Sequence, residues 1–242
     1  MREAHAVLRD AVSIVVLTGA GISAESGVPT FRDAQTGLWA RFRPEDLATP
    51  GAFLRDPKLV WEWYAWRRDL VAKASPNAGH RALAELESRC ANFTLITQNV
   101  DGLHARAGSR QVIELHGNLF ANIRFDDHSE IAADEWTGDI PPRCKRSGQL
   151  VRPGVVWFGE ALPARALEAA FAAVKSCDVV LSIGTSTMVE PAASLPFIAL
   201  ESGAKVIEIN PAETPLTSHC HFALQGKAAE ILPALVDAAA HA

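Results

Sequence analysis

The chain has 242 residues, a formal net charge of −5 and 48% hydrophobic residues. This size and composition allow a full hydrophobic core, in one large domain or in one domain with a small insert. The acidic balance provides no general attraction to nucleic acid or to anionic membranes, so we expect neither as a direct partner. No apolar run reaches the roughly 20 residues that span a bilayer, and no signal-peptide core follows the N-terminus. The four cysteines form no Cys-x-x-Cys pair, and we expect a cytoplasmic protein with reduced thiols.

Short apolar runs alternate with helix-length segments along the chain. This alternation is typical of a parallel sheet covered by helices on both faces, so we predict a Rossmann-like, doubly wound α/β fold. A polar stretch from about 121 to 153 interrupts the alternation and predicts a smaller inserted module. The predicted strands are 14–18, 93–97, 112–115, 178–183 and 205–209, and the predicted helices are 57–72, 77–90, 163–176, 189–202 and 226–238.

The first predicted strand leads directly into a glycine-rich segment, Gly19 to Ser23. Gly19 and Gly21 carry no Cβ that would hold a pyrophosphate away from the backbone, and the amides that follow can donate to it. The segment therefore predicts a dinucleotide site at a turn from strand to helix. Phe31 and Arg32 follow in the same loop, whereas an ordinary dehydrogenase fingerprint continues straight into a helix. This extension indicates an insertion over the cofactor site.

The predicted helix 57–72 carries Tyr64 and Arg67, which are three residues apart and therefore share one face. A phenol beside a guanidinium can bind a carboxylate, because the guanidinium donates two parallel hydrogen bonds. Trp63, Trp66 and Leu70 form a second stripe suited to the core. An aromatic core helix with a solvated arginine is equally compatible with this composition.

Three further predicted strands end in polar loops, at Thr97 to Gly102, Gly184 to Ser186 and Asn210-Pro211. Ligands bind at the carboxyl ends of strands in open parallel sheets, so these loops are predicted to converge on one crevice. Each loop alone is also compatible with an ordinary turn. His116 ends another short strand and is a candidate general base, with Gly117 leaving room for substrate. A structural histidine in a polar cleft is the alternative.

Taken in order, these motifs resemble those of the sirtuins, which are NAD-dependent protein lysine deacylases. The resemblance covers about residues 10 to 236. The matching segments are Gly19 to Ser23 with Ser26 to Arg32, Thr97 to His104, Leu115 to Gly117, Arg152-Pro153 with Val155 to Glu160, Gly184 to Ser186, and Ile209 to Pro211. The resemblance to the sirtuins implies one catalytic domain over 1–242. Within it we expect a Rossmann-like part at about 8–35, 77–120 and 154–238, a helical insert at about 36–76 and a zinc-type module at about 121–153.

The resemblance implies that NAD is consumed as a co-substrate. In the family, the acyl oxygen of a modified lysine attacks the ribose carbon that bears nicotinamide, and the products are nicotinamide, free lysine and O-acyl-ADP-ribose. His116 would deprotonate the ribose hydroxyl that attacks the imidate, Asn99 and Asp101 would hold the nicotinamide and ribose end, and Phe31 and Arg32 would close over the reacting centre. The implied cofactor contacts are Gly19, Ala20, Gly21, Ser23, Ala24, Glu25, Phe31, Arg32, Gln98, Asn99, Asp101, Gly184, Thr185, Ser186, Asn210, Pro211, Ala212 and Ala228.

The implied partners are acyl-lysine proteins or peptides, and no oligomeric state follows from the sequence. Tyr64 and Arg67 resemble the pair that recognises succinyl or malonyl lysine in class III sirtuins, so we expect removal of both groups with acetyl removal retained. The extended segment Val155 to Gly159 would pair with the substrate backbone as an added strand, through Val155, Val156, Phe158 and Gly159. Mono-ADP-ribosyl transfer to protein and a non-catalytic NAD or ADP-ribose sensing module remain the alternatives.

The zinc-type module departs from the family pattern. Sirtuins usually carry two Cys-x-x-Cys pairs that bind a structural zinc, whereas the matching positions here are Arg124 with Asp127 and Cys144 with Ser147. One thiolate with an aspartate and a serine is a poor zinc ligand set, even with His128 nearby. We therefore expect no bound zinc.

We predict that an ion pair between Arg124 and Asp127 replaces the metal. An exposed pair contributes only about 0 to 1 kcal/mol. Packing of Phe125, Ile131 and Trp136 is therefore expected to provide most of the stability of this module.

Overall fold

The computed structural model describes residues 1–29 and 42–237. Its strands are β1 (Ser13–Thr18), β2 (Asn92–Thr97), β3 (Val112–Glu114), β4 (Gly117–Arg124), β5 (Val151–Val155), β6 (Val179–Ile183), β7 (Lys205–Asn210) and β8 (Phe222–Gln225). Its helices are α1 (Arg2–Asp10), α2 (Gly21–Ala24), α3 (Pro44–Leu47), α4 (Pro50–Arg55), α5 (Pro57–Lys73), α6 (Ala78–Arg89), α7 (Leu103–Ala107), α8 (Ala164–Ser176), α9 (Leu195–Glu201) and α10 (Ala228–Asp237). Six parallel strands form the main sheet in the order β3-β2-β1-β6-β7-β8.

The main sheet confirms the predicted Rossmann-like α/β class, and each predicted strand is present to within one residue. Successive side chains of a strand point to opposite faces. Ile14 and Val16 accordingly join a core with α1, α6 and α10, while Val15 and Leu17 join a second core with α8 and α9. Each such side chain contributes about 1.5 to 3 kcal/mol when fully buried. The order of the strands reverses between β1 and β6, because β1 to β3 follow each other toward one edge of the sheet and β6 to β8 toward the other. Ligands bind at this point in such an architecture.

Helix α5 begins and ends at identifiable caps. Asp56 accepts a hydrogen bond from the first turn, and Pro57 occupies the first helical position, where no amide donor is required. At the other end Arg106 donates to the carbonyls of Val71 and Ala74, at 3.2 and 2.6 Å. These contacts fix the helix firmly against its neighbours. Although α5 has 17 residues, no helix in the described ranges is both long and apolar enough to cross a membrane.

A separate antiparallel pair, β4 and β5, was not predicted from the sequence. Its register shifts between Gly117 and Asn122, which leaves carbonyl groups outside the ladder. Arg68 on α5 donates to two of these carbonyls, those of Leu119 and Ala121, at 2.7 and 3.1 Å. Burial lowers the pKa of Arg68 to about 10, so the side chain stays charged at neutral pH. Helix α5 therefore holds the irregular strand in place.

The antiparallel pair and helices α3 to α5 share a third core that is rich in aromatic residues. Trp63 and Tyr64 are each 1% exposed within it. Trp66 is half-buried and packs against the same core, whereas Leu70 is half-buried and is not part of it. The predicted core stripe is therefore correct for Trp63, holds at the edge of the core for Trp66, and is wrong for Leu70. Arg67 is also half-buried, which contradicts the alternative of a solvated arginine.

Candidate active site

The glycine-rich turn after β1 packs directly against the end of β6. A Cβ on Gly19 would lie 2.8 Å from the carbonyl oxygen of Gly184, and a Cβ on Gly21 would lie 2.7 Å from the Cα of Gly184. The amide of Gly21 donates to the same carbonyl at 2.8 Å. Ala20, between the two glycines, is half-buried. This backbone contact is a second reason for the two glycines, beside the access for a pyrophosphate predicted from the sequence.

Three buried polar side chains join this turn to the loop after β2. Ser23 donates its hydroxyl hydrogen to Asp101 Oδ2 at 2.7 Å. The side-chain amide of Asn99 donates to the carbonyl of Gly19 at 3.1 Å and to Ser23 Oγ at 3.2 Å. Asp101 also accepts from the amide of Leu103 at 2.9 Å, at the start of α7. The predicted convergence of these two loops is therefore confirmed.

Two buried histidines lie beside this cluster, with ring centroids 4.9 Å apart. His80 lies outside the matched motifs, and His104 ends the matched segment Thr97 to His104 but was assigned no role. His80 accepts from the amide of Asn77 at 3.3 Å through Nδ1, so its Nε2–H faces Ser23 Oγ at 3.4 Å. His104 Nε2 lies 2.9 Å from Thr18 Oγ1. Burial lowers the pKa of His80 to about 4 and that of His104 to about 3, so both rings are neutral at pH 7. The spacing of Asn77 and His80, a capping box at the start of α6, was the available signal.

His116 is held in the tautomer that a general base requires. Its Nδ1 lies 2.9 Å from the carbonyl oxygen of Gln98, an atom that can only accept. Nδ1 therefore carries the hydrogen, and Nε2 keeps an unshared electron pair. Burial lowers the pKa of His116 below the ordinary value of 6.5, which keeps the ring neutral at pH 7. A Cβ on Gly117 would lie 2.1 Å from the carbonyl oxygen of Gly154, so this glycine allows a close backbone contact. The room for substrate that it was expected to leave stays a prediction.

The loops after β6 and β7 meet the loop after β2. The side-chain amide of Gln98 donates to Thr185 Oγ1 at 3.0 Å, and that of Asn210 donates to the carbonyl of Thr185 at 3.0 Å. Glu25 accepts from the amide of Ala229 at 2.9 Å, which brings the end of α2 beside the start of α10. Of the remaining predicted cofactor contacts, Ser186 is half-buried, Ala228 is buried, and Ala24, Pro211 and Ala212 are exposed.

The predicted closing residues, Phe31 and Arg32, lie outside the described residues. Their closure over the reacting centre stays a prediction. The described loops nevertheless converge at one end of the main sheet, because hydrogen bonds join the glycine turn to Asn99 and Asp101, and join Gln98 to Thr185.

Tyr64 and Arg67 lie together on α5, as their spacing predicts. The guanidinium carbon of Arg67 is 4.9 Å from the ring centroid of Trp63 and 5.6 Å from that of Tyr64. Burial lowers the pKa of Arg67, while its electrostatic interactions with Tyr64 and then with Asp101 oppose this shift. Arginine remains protonated in proteins, so a cation lies within electrostatic reach of the Asp101 carboxylate. The charge of Arg67 therefore connects this pair electrostatically with the loop after β2.

The segment predicted to extend from Val155 to Gly159 does so only at its beginning. Val155 pairs with Gly117 in the antiparallel sheet, and the amide of Val156 donates to the carbonyl of His116 at 2.9 Å. The chain then turns: the backbone amide of Phe158 donates to the carbonyl of Ala48 at 3.0 Å, and Gly159 adopts a φ of 85°. The predicted extension is therefore wrong at Phe158 and Gly159, although the Phe158 side chain is 46% exposed.

The predicted direct ion pair between Arg124 and Asp127 is wrong. The hydroxyl of Ser129 lies between them, accepting from Arg124 at 2.6 Å and donating to Asp127 at 2.6 Å. Asp127 also accepts from the Ser129 amide at 2.9 Å, so its carboxylate caps its own turn. The predicted packing is present: Ile131 is buried, and Phe125 and Trp136 pack against the aromatic core.

The residues at the expected zinc positions do not fit the metal. Arg124 is a cation that would repel Zn²⁺, and the carboxylate of Asp127 accepts hydrogen bonds from Ser129. Hydrogen bonds from Ser147 and then Arg124 lower the pKa of the buried Cys144 thiol to about 6. No group of three or more metal-binding side chains occurs in the described ranges, 1–29 and 42–237.

A glycine turn, a buried Ser-Asn-Asp cluster and a histidine with an available Nε2, all at one end of a parallel sheet, define a nucleotide-binding α/β protein equipped for proton transfer. A family model described as "Sir2 family" matches residues 19–191. The chain belongs to the Sir2 family.

Relatives and solved structures match almost the whole chain. A protein of Aquifex aeolicus (strain VF5) named "NAD-dependent protein deacylase" is 53% identical, over 93% of this chain and 95% of its own length. "NAD-dependent protein deacylase 1" of Pseudomonas aeruginosa is 51% identical, over 98% of both chains. A Sir2 homolog–NAD complex is 48% identical with a TM-score of 0.92, over 99% of this chain and 94% of the other. A Sir2–p53 peptide–NAD⁺ complex is 30% identical with a TM-score of 0.87, over 100% and 99%.

Proposed function

We propose that this protein is an NAD-dependent protein lysine deacylase that consumes NAD. The observation that carries the proposal is the fixed tautomer of His116, whose Nε2 is available as a base beside the cluster of Ser23, Asn99 and Asp101. The names of the relatives and the NAD complex of a Sir2 homolog support it. NAD supplies the ribose carbon that accepts the acyl oxygen, with nicotinamide as the leaving group.

The residues of this chain have separate tasks in that reaction. The turn at Gly19 and Gly21 binds the pyrophosphate, and Asn99 and Asp101 hold the ribose and nicotinamide end. His116 accepts the proton of a ribose hydroxyl through Nε2, and the resulting positive charge is stabilised by the hydrogen bond from Nδ1 to a backbone carbonyl. The acyl carbon is then bonded to two ribose oxygens, its bond to the lysine nitrogen breaks, and the lysine takes up the proton and leaves as a free amine. One solvent water adds to the acyl carbon, and the bond to one ribose oxygen breaks to give O-acyl-ADP-ribose.

We further propose that acidic acyl groups are preferred. The half-buried guanidinium of Arg67, beside the Tyr64 hydroxyl, offers charge-assisted hydrogen bonds to a terminal carboxylate. Succinyl and malonyl lysine carry such a carboxylate, whereas acetyl lysine does not. Acetyl removal is retained because the chemistry at His116 does not need the carboxylate.

Incubation of the protein with NAD and three peptides of one sequence, carrying acetyl, malonyl or succinyl lysine, tests both proposals. We expect nicotinamide, free lysine peptide and O-acyl-ADP-ribose from all three, with higher kcat/KM for the malonyl and succinyl peptides. Labelled ADP-ribose attached to protein would indicate ADP-ribosyl transfer instead. NAD binding without any product would indicate a sensing module.

We also propose that the module at about 121–153 is stable without zinc. The purified protein should contain substoichiometric zinc, and a chelator should leave its melting temperature and deacylase rate unchanged, because the donor set offers one thiolate beside a guanidinium. A variant that restores four cysteines, with Arg124→Cys, Asp127→Cys and Ser147→Cys beside Cys144, is the positive control and should bind zinc. One zinc per chain in the wild-type protein would contradict the proposal.

A further inference from the structure

Trp157 contacts Tyr64, one member of the proposed acyl-recognition pair, inside the aromatic core. Its indole Nε1–H donates to the hydroxyl oxygen of Tyr64 at 2.8 Å. Trp157 is 2% exposed and Tyr64 is 1% exposed, so this hydrogen bond is shielded from water. The two residues are 93 positions apart in the chain. None of the sequence motifs assigned a role to Trp157 beyond its place in the segment.

The contacts of the Tyr64 oxygen restrict what its hydroxyl can do. A phenol oxygen has two acceptor sites and one hydrogen to donate. Trp157 fills one acceptor site with its indole N–H. The guanidinium of Arg67, which can only donate, lies beside the same residue, with its carbon 5.6 Å from the Tyr64 ring centroid. Because both of these neighbours are donors, the hydroxyl hydrogen is directed to an acceptor, and the carboxylate of a bound acyl group is an acceptor only.

We propose that Trp157 is a positioning residue for acyl recognition, which turns the Tyr64 hydroxyl into a dedicated donor toward the carboxylate that Arg67 binds. This inference rests on the proposed preference for acidic acyl groups. Without the indole N–H, the hydroxyl can rotate to donate elsewhere, and its alignment with the carboxylate is lost.

The indole itself is held on three sides. The guanidinium carbon of Arg152 lies 3.4 Å from the ring centroid of Trp157, and this arginine pairs with Glu160 at 2.9 Å. Glu160 also accepts from the backbone amide of Trp157 at 2.8 Å. The ring of Phe53 packs at 5.2 Å between centroids. The ring therefore cannot turn away from Tyr64 without losing its contacts with Arg152 and Phe53.

A double-mutant cycle tests the proposal. Trp157→Phe keeps an aromatic ring and removes the N–H, and we expect the ratio of succinyl to acetyl kcat/KM to fall about three- to tenfold, the value of one hydrogen bond. Tyr64→Phe should lower the same ratio, and adding Trp157→Phe to it should cause no further fall. A purely structural role of Trp157 would lower both substrates in parallel and leave the ratio unchanged, which would overturn the proposal.

Trp61→Phe is the matched control. The indole of Trp61 donates to the carbonyl of Val151 at 2.6 Å in the same aromatic core, without contacting Tyr64 through a hydrogen bond. Its loss should lower the melting temperature and leave the ratio unchanged. An equal change of the ratio in both tryptophan variants would contradict a specific role of Trp157.

Two further outcomes keep the inference separate from the proposed function. A wild-type protein without acidic preference overturns both, whereas a preference that survives Trp157→Phe overturns this inference alone. If Trp157→Phe does not fold, NMR spectra of the indole N–H groups test the proposal in proteins that keep Trp157. The Trp157 resonance should shift on Tyr64→Phe and on addition of NAD with succinyl peptide, while the Trp61 resonance stays. An unshifted Trp157 resonance would overturn the proposal.

Discussion

Replacement of His116 by tyrosine is expected to lower kcat for deacylation by about 10²- to 10⁴-fold, the contribution of a positioned general base. The physical reason is the fixed tautomer, in which the Gln98 carbonyl holds the hydrogen on Nδ1 and leaves Nε2 to accept a proton. A tyrosine hydroxyl, with a pKa near 10, is protonated at neutral pH and cannot replace this base. Single-turnover measurement of free lysine peptide checks the expectation.

The partial reaction with nicotinamide is the internal control for this variant. Nicotinamide release precedes the step that needs the base, so exchange of labelled nicotinamide into NAD should persist in His116→Tyr. Loss of exchange together with an unchanged melting temperature would show that His116 acts in the first step as well. Deacylation at the wild-type rate would contradict its assignment as the base.

The pH profile provides a second check on the same histidine. The base must be neutral, and burial lowers the pKa of His116 below 6.5, so activity should remain constant at neutral pH and decline only at lower pH. The acidic limb of kcat/KM should therefore lie below pH 6.5. A limb above that value would contradict the described environment of the ring.

Replacement of Arg67 by methionine is expected to lower the ratio of succinyl to acetyl kcat/KM about 10- to 100-fold. Hydrogen bonds to charged groups contribute about 1.5 to 3 kcal/mol, and each 1.4 kcal/mol is a factor of ten. Methionine keeps much of the apolar volume over Trp63 and Tyr64 but offers no donor. Deacetylation measured beside desuccinylation separates lost recognition from lost chemistry.

Two variants control this experiment. Lys58→Met removes one positive charge from the same helix at an exposed position, and the ratio should stay at the wild-type value. Arg67→Lys keeps the charge and removes the planar fork, so it should recover only part of the preference. An unchanged ratio in Arg67→Met would show that the acyl carboxylate, if bound, is recognised elsewhere.

Much of the fold followed from the sequence because the main sheet is parallel and buried on both faces. Its strands are continuous apolar runs, which the pattern shows clearly. The edge strand β8 has four residues of alternating half-buried and exposed positions, and β5 contains Pro153 and Gly154, which both disfavour strands. The register shift in β4 obscures any period of two. These three strands were therefore missed.

The candidate site was likewise predicted from the sequence in part, and the rest depends on contacts between distant segments. The convergence of the strand-end loops follows from topology alone, since parallel strands end on one side of the sheet. The hydrogen bond between Trp157 and Tyr64 links distant segments, and no spacing rule predicts such a contact. The error at Arg124 and Asp127 is local: their spacing allowed an ion pair, but the hydroxyl of Ser129 was a nearer partner for both.

The position of His116 between the two sheets has a mechanical consequence. Strand β3 of the main sheet ends at Glu114 and strand β4 of the antiparallel pair begins at Gly117, so only two residues separate them. The carbonyl of His116 also receives the amide of Val156, which returns from the antiparallel pair at the same point. The backbone of the base is thus held by both sheets at once. A substitution that shifts the small sheet at this point would therefore be expected to move His116 as well, even though the substituted residue lies outside the loops that end the main sheet.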